Sequence, residues 1–447
     1  MTPNLALVHL ESLNNIIYRL NPECFPTVRE IEKEGVFFSQ YYSTATSTIM
    51  VLSDLFYGTT DILEEQYNLT DVKRAVKIKD AIKNTDFKTD SLFDSLQKKG
   101  YRIKNYLLWG HYDVAHVNSL VAHDCDFLNT NDHDTLERDY TKFLEGEGPF
   151  ALFLDDCSSA MDFLGDGREE QRGVDLKIQG FKEVNSTLEI LVNVLKKYNK
   201  YENTVFVLYG DHGDDFWAHG LNEGYSHALP PYQHMIHTPL IVAGVQKSMP
   251  VIDSLLGTSE LKSLILRLLE HPSEKLDKLC PCRDIVFSRN LFANQKLKIH
   301  SFNKSYSATD GKYLLLVSHY GLELYLNYFD INSFCNLLDF FVFSNGKIRF
   351  CRQLLLTRSS HFESFWTESQ IEEMQEAFTK LYRLLQDEVK RKYEKSNRDY
   401  KEMSFYKIHY TKRDRLKNKY HVRSIVMKIR CSLSAVKRGC INTFMKR

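Results

Sequence analysis

Thr204-Val205-Phe206-Val207-Leu208-Tyr209, running into Gly210-Asp211-His212-Gly213-Asp214-Asp215, is the stretch whose reading decides the fold. Six β-branched, leucine and aromatic residues without a polar break read as a strand covered on both faces. The polar residues come at once after it, and glycine at 213 permits the chain to turn as it leaves the sheet. The same order recurs upstream. Leu5–Leu10 is followed by Glu11-Ser12, Phe150–Leu154 by Asp155-Asp156, and Tyr101–Leu108 is a further strand candidate. Between them, Ser91–Gly100 reads as a helix ending in Lys98-Lys99-Gly100, a basic last turn closed by glycine. Gly180–Lys200 carries Val184, Leu188, Leu191, Val192 and Leu195 at helical spacing. Strand and helix in alternation through residue 245 predict an α/β fold with a mostly parallel sheet sandwiched by helices. Sites in such sheets gather at the carboxyl ends of the strands, where the polar clusters fall here.

Beyond that core, residues 283–340 read as shorter strands (Ile285–Ser288, Lys312–Ser318, Leu322–Tyr325) with turns at Asp310-Gly311 and Tyr320-Gly321. These predict a small antiparallel subdomain. Glu368–Lys392 is strongly helical, and His421–Lys446 mixes apolar and basic residues as a basic amphipathic helix does. The expected organisation is a catalytic core over 1–282, the antiparallel subdomain over 283–345 and a helical, basic extension over 346–447.

The composition, 43% hydrophobic and 26% charged, is that of a folded chain. A formal net charge of zero hides an asymmetry: 18 Lys+Arg stand against four Asp+Glu between Arg391 and Arg447, so the body is acidic. A basic tail on an acidic body reads first as a solvated charged helix, next as a contact for an anionic membrane surface, and last as a nucleic-acid binder, for which no recognised fold is present. Nine scattered cysteines without a CxxC pair argue against a disulfide framework or structural zinc site and for a reducing compartment. No apolar run approaches the roughly 20 residues of a membrane span. The strand-like start at Leu5 does not resemble a signal peptide. A cytoplasmic protein, peripheral at the inner face of the membrane, is the expectation.

Three clusters carry chemistry. Glu11 follows a buried strand directly, where it is either a solvated loop carboxylate or a group well placed to hold a cation at the sheet's edge. Tyr42-Ser43-Thr44-Ala45-Thr46-Ser47-Thr48 offers a run of hydroxyls just before the apolar, helix-like Ile49–Leu52. A helix start there would favour a tetrahedral oxyanion. Asp211 and His212 are adjacent at a strand end, where both can reach one metal. A carboxylate from Glu11, a threonine oxygen, and Asp211 with His212 form an O3N set suited to one divalent ion, Zn²⁺ or Mn²⁺. Such an ion lowers the pKa of a hydroxyl nucleophile.

Asp211-His212-Gly213-Asp214 … Ala218-His219-Gly220-Leu221 resembles the DHGE…EHGL signature of the sulfatase and alkaline-phosphatase superfamily, at the same spacing. His237-Thr238-Pro239-Leu240-Ile241-Val242 is similar to the strand that follows it there. Phe25-Pro26-Thr27, Glu34-Gly35-Val36-Phe37-Phe38 and Tyr42-Ser43 resemble the family's leader segment. Lys312-Tyr313-Leu314, Glu323-Leu324-Tyr325, Asp330 and Asn336-Leu337 resemble its closing subdomain. The likeness spans roughly residues 3–340 and implies an alkaline-phosphatase-like fold. Counted back from Gly58, the family's catalytic position falls on Thr48, with Thr46 or Ser47 next in line.

The departures matter as much. Formylglycine sulfatases carry Cys-x-Pro-x-Arg at this place, whereas this chain has Thr48-Ile49-Met50-Val51-Leu52. Glu11-Ser12 with a threonine nucleophile resembles lipoteichoic-acid synthases, and phosphoethanolamine transferases share the threonine. That resemblance implies a phosphotransferase that moves phosphoethanolamine or phosphoglycerol from a phosphate-ester donor to a glycan through phospho-threonine. A phosphodiesterase or atypical sulfatase, and a non-catalytic scaffold on the same fold, are the rival readings. Thr48 and His219 are the expected catalytic pair, Glu11, Thr48, Asp211 and His212 the metal ligands, and His227 and Asp156 the substrate contacts. For His227, His234 and His237 a structural or surface role weighs at least as much as a functional one. Asp155-Asp156-Cys157 lacks the histidine that a second metal site requires.

Overall fold

The computed structural model describes residues 2–62, 89–108, 126–159, 170–215, 230–290, 305–318, 321–344, 347–351 and 366–395. The first strands in chain order are β1 (Asn4–Leu10), β2 (Val36–Phe38), β3 (Tyr41–Tyr42), β4 (Arg102–Leu108) and β5 (Asp126–Asn129). After them come β6 (Phe150–Asp156), β7 (Thr204–Gly210), β8 (Leu240–Ala243), β9 (Val251–Ile252) and β10 (Leu256–Gly257). Eight of these form one sheet in the order β5-β4-β6-β1-β7-β8-β2-β9, while β3 pairs with β10 outside it. Only β8 runs against the rest of that sheet, pairing antiparallel with both β7 and β2.

Every residue of β1, β6 and β7 is buried, as the unbroken apolar runs require of strands covered on both faces. Alternation along each strand sorts side chains between two cores. Leu5 and Leu7 of β1, Ala151 and Phe153 of β6, and Val205, Val207 and Tyr209 of β7 pack on the face covered by helices Thr48–Tyr57 and Leu261–Glu270. Ala6, Val8 and Leu10, with Leu152, Leu154, Phe206 and Leu208, pack on the opposite face. There the helix Glu170–Lys197 contributes Phe181, Val184, Leu188, Leu191 and Leu195. Each buried Val, Leu or Phe side chain among them contributes about 1.5–3 kcal/mol of transfer free energy.

The antiparallel subdomain is a meander of β11 (Val286–Asn290), β12 (Ser305–Thr309), β13 (Tyr313–Ser318) and β14 (Gly321–Leu326). The expectation lacked β12, whose Ser305-Tyr306-Ser307-Ala308-Thr309 alternates but turns only Tyr306 and the small Ala308 into the core. At the turn expected at Asp310-Gly311, Gly311 has φ +88° and the Asp310 carboxylate accepts the N–H groups of Lys312 and Tyr313. A hairpin of β15 (Phe341–Ser344) and β16 (Lys347–Phe350) pairs across the expected boundary at 345/346.

The helix Glu368–Lys395 lays Met374, Phe378, Leu381, Leu385 and Val389 into the core that also holds Leu315, Val317 and Leu324. The first basic residues of the tail dock on the main domain. Arg391 donates to both carboxylate oxygens of Asp61 (2.7 and 3.0 Å), and the Lys392 ammonium donates to Thr60 Oγ1 (2.9 Å). Residues 396–447, with the expected amphipathic helix, lie outside the described residues. Among the described residues no helix is long and apolar enough to cross a membrane.

Candidate active site

Register brings three strand ends together. β1 lies between β6 and β7, with His9 level with Asp155 and Tyr209, and Leu10 level with Asp156 and Gly210. One residue further on, Glu11 and Asp211 leave the sheet side by side. Positions 9 and 11, 155, and 209 and 211 continue the stripe that faces the helix beginning at Thr48. Asp156 is one residue out of phase. Its carboxylate accepts from Thr187 Oγ1 (2.7 Å) and the Ser158 N–H (2.9 Å), on the opposite face and away from Thr48. Burial pushes its pKa up, against the pull of the hydrogen bonds from Ser158 and Thr187.

Glu11 is 1% exposed. Ser12 after it takes the left-handed conformation, φ +54°. That turn aims the Ser12 N–H at Asp211 Oδ1 (2.8 Å), and its hydroxyl donates to Glu11 Oε1 (3.0 Å). A non-glycine residue held there is locally unfavourable, and such strain collects where side chains must be aimed. Asp211 and His212 sit between two glycines needed for close approach. A Cβ on Gly210 would lie 2.2 Å from Leu13 O, and one on Gly213 would lie 2.1 Å from His234 O. Gly213, whose φ is not positive, therefore serves close packing where the chain leaves the sheet.

The hydroxyl run is resolved by its partners. Ser43 Oγ donates to Ala45 O (2.7 Å) and Thr44 Oγ1 to Asp54 Oδ2 (2.6 Å), so both serve the loop itself. Ser47 caps the helix by backbone alone, and its buried Oγ makes no hydrogen bond. Thr48, first in the helix and 1% exposed, places Oγ1 3.1 Å from His212 Nε2 and 3.3 and 3.4 Å from the Glu11 carboxylate oxygens. His212 Nδ1 lies 3.1 Å from Gly213 O, an acceptor, so Nδ1 carries the hydrogen and Nε2 turns a lone pair toward Thr48. His212 Nε2 also lies 3.1 Å from Asp211 Oδ2.

The four expected ligands thus meet. Burial alone would raise the Asp211 pKa, but the positive charge that His212 and His9 carry when protonated, with the Ser12 N–H, holds the carboxyl well below the usual range. Asp211 Oδ2 is buried and makes no hydrogen bond. Glu11, Asp211 and His212 offer ligand atoms that all lie within 4.8 Å of one another. Three oxygens and one nitrogen, with an orphaned carboxylate oxygen among them, fit a divalent cation. Replacing Asp211 by asparagine is expected to weaken divalent-metal binding by at least about 100-fold, beyond what outer-sphere changes produce. Equilibrium dialysis measures this, and an affinity within threefold of the parent would remove Asp211 from the ligand set.

Other residues close around this centre. Lys177 donates to Asp214 Oδ2 (2.8 Å), and His234 Nε2 lies 3.1 Å from Asp215 Oδ1, all four side chains being buried. His237 Nε2 donates to Ser39 O (2.8 Å) and its ring stacks on Tyr42, a structural role. Burial brings the His237 pKa down to about 4. His219 and His227 lie outside the described residues.

Sequence reasoning missed His9 as a site residue, although strand parity aligns it with Glu11. It also missed the anchor of the Ser43–Thr48 loop. Arg289 of β11 donates to both Asp54 oxygens (2.6 and 2.8 Å) and to Thr44 O (3.1 Å), and Ser288 Oγ donates to Ser43 O (2.6 Å). No local signal marks a pair separated by more than 200 residues.

The sulfatase family profile matches residues 3–148 and 145–271, a span that contains Glu11, Thr48, Asp211 and His212. No curated protein matches the sequence significantly. Among solved structures, the fold is similar to a putative sulfatase from Bacteroides thetaiotaomicron (16% identity, TM-score 0.61, covering 90% of this chain and 94% of that one). It is similar to BT1596, a 2-O GAG sulfatase (15%, TM-score 0.58, 75% and 88%). It also resembles the phosphonate monoester hydrolase of Agrobacterium radiobacter (12%, TM-score 0.50, 75% and 91%). With the profile covering more than half of the chain and the buried ligand cluster in place, the protein belongs to the sulfatase family, as an enzyme on the alkaline-phosphatase-like fold with a site for a divalent metal.

Proposed function

We propose that this enzyme is a phosphotransferase that works through a covalent phospho-threonine at Thr48. The observation that carries the reading is the threonine hydroxyl set 3.1 Å from His212 Nε2 and 3.3 Å from Glu11 Oε1. A threonine cannot become the aldehyde hydrate that formylglycine sulfatases use, whereas it is competent for attack on phosphorus. A Zn²⁺ or Mn²⁺ ion held by Glu11, Thr48, Asp211 and His212 would lower the hydroxyl's pKa and offset the charge that develops on the phosphoryl oxygens.

Thr48 Oγ forms a bond to phosphorus as the bond from phosphorus to the donor's alcohol oxygen breaks. The proton lost from the hydroxyl is balanced by the one gained by the departing alcohol, a transfer assigned here to His219. An acceptor hydroxyl then attacks the phospho-threonine, and Thr48 recovers its proton. The Ser47–Thr48 helix start favours the anionic group through its N–H groups and dipole. Glu11-Ser12 with Thr48 supports a phosphoethanolamine or phosphoglycerol donor and a glycan acceptor. The basic segment after residue 395 is assigned to an anionic membrane surface on the cytoplasmic side, each basic residue contributing about 1 kcal/mol there.

Product analysis tests this. The metal-loaded enzyme is given bis-p-nitrophenyl phosphate or p-nitrophenyl sulfate, each with and without a glycan acceptor. The expected result is cleavage of the phosphodiester, with the acceptor drawing phosphoryl product onto the sugar. Cleavage of the sulfate alone would overturn the proposal. Phosphodiester cleavage with water as the only acceptor would support the hydrolase reading instead.

A further inference from the structure

We propose that His9 is a fifth protein donor to the metal, held in place for that role by Asp155. The inference rests on the metal centre at Glu11, Asp211 and His212 and not on the phosphoryl chemistry proposed for it. His9 is wholly buried at the end of β1, its ring stacked between Phe153 (centroids 6.4 Å apart) and Tyr209 (5.4 Å). Its Nδ1 lies 2.8 Å from Asp155 Oδ1. A carboxylate only accepts, so Nδ1 carries the hydrogen, and a neutral ring then presents Nε2 as a lone pair.

That nitrogen faces acceptors only: Glu11 Oε2 at 3.4 Å and Asp211 Oδ2 at 3.3 Å. Neither His9 Nε2 nor Asp211 Oδ2 makes a hydrogen bond. Two buried acceptor atoms turned toward each other need either a cation between them or a proton on His9. The five donor atoms close a ring. From Glu11 Oε2 to His9, Asp211, His212 and Thr48 and back to the same oxygen, neighbouring donors are 3.4, 3.3, 3.1, 3.1 and 3.4 Å apart. Donors that share one ion at about 2.0–2.2 Å lie roughly 3.0–3.4 Å from one another. Asp155 then supplies the carboxylate that commonly fixes the tautomer and orientation of a metal-bound histidine. The rival arrangement is a protonated His9 bridging the carboxylates without touching the metal.

Counting imidazoles separates the two. The full-length protein is labelled with ¹⁵N-histidine, loaded with Mn²⁺ and studied by pulsed EPR. Two coordinated imidazoles are expected in the wild-type protein, and one each in His9→Gln and His212→Gln. His9→Gln is also expected to bind Mn²⁺ about 10- to 100-fold more weakly, and Asp155→Asn to keep both imidazoles at about tenfold lower affinity. A single imidazole in the wild-type protein, abolished by His212→Gln, would overturn the role of His9 while leaving the metal centre intact. Absence of any coordinated imidazole, or of Mn²⁺ binding, would overturn both. The wild-type count decides even if a variant fails to fold.

Discussion

Replacing Thr48 by alanine is expected to lower turnover of the metal-loaded enzyme by on the order of 10⁴-fold or more, the scale seen when a nucleophile is removed. Thr48 Oγ1 is the hydroxyl that the fold brings to His212 and Glu11, whereas Ser43 and Thr44 serve the loop that leads to it. Truncation at a helix start removes one hydroxyl and one methyl from a buried site and leaves the helical backbone able to form. The expected cost is about 1–2 kcal/mol, read as a shift of a few degrees in melting temperature. Thr48→Ser retains the oxygen and is expected to keep measurable turnover. Ser47→Ala, which removes a hydroxyl without hydrogen bonds, is expected to stay within tenfold of the parent. Assay of the three variants against one phosphodiester settles the assignment, and full activity in Thr48→Ala would transfer the role to Thr46 or Ser47.

Arg289→Met should be the most damaging single change away from the metal, at about 3–5 kcal/mol of stability, the usual cost of stripping one partner from a buried ion pair. Arg289 and Asp54 are 2% and 1% exposed. The pair is bidentate, and Thr44 Oγ1 donates to the same Asp54 oxygen. Without the guanidinium, Asp54 keeps a buried charge with one short hydroxyl contact. The pair also spans the structure: Asp54 belongs to the helix headed by Thr48, and Arg289 to the first strand of the antiparallel subdomain. Loosening it frees the Thr44–Thr48 segment, so turnover is expected to fall together with stability. The double change Arg289→Met with Asp54→Leu removes both charges and is expected to recover part of the loss. Urea denaturation of the parent, the two single variants and the double variant measures the coupling. A loss below about 1 kcal/mol in Arg289→Met would show that the pair does not anchor the loop.

What the sequence disclosed is what local pattern records. Apolar runs ending in Glu11, Asp155 and Asp211 announced the parallel sheet and the edge at which Glu11, Asp211 and His212 cluster with Thr48 beside them. Asp156 shows the limit of reading by adjacency. Next to Asp155 in sequence, it points to the opposite face, because side chains alternate along a strand. His9 stood in the quoted cluster, yet its role emerges only when β6 and β7 are set on either side of it. Arg289 and Lys177 gave no warning, since their partners Asp54 and Asp214 lie 235 and 37 residues away. β12 escaped because its alternation is short, with only Tyr306 and the small Ala308 on the apolar face.

The central claim is that Thr48 carries the phosphoryl group. Its most direct test is intact-protein and peptide mass spectrometry of the metal-loaded enzyme, quenched during turnover of a phosphodiester in the absence of acceptor. The expected result is one phosphoryl adduct, localised to Thr48 and discharged when a glycan acceptor is added. An enzyme turning over with Thr48 unmodified, and with the adduct on another residue, would contradict the account.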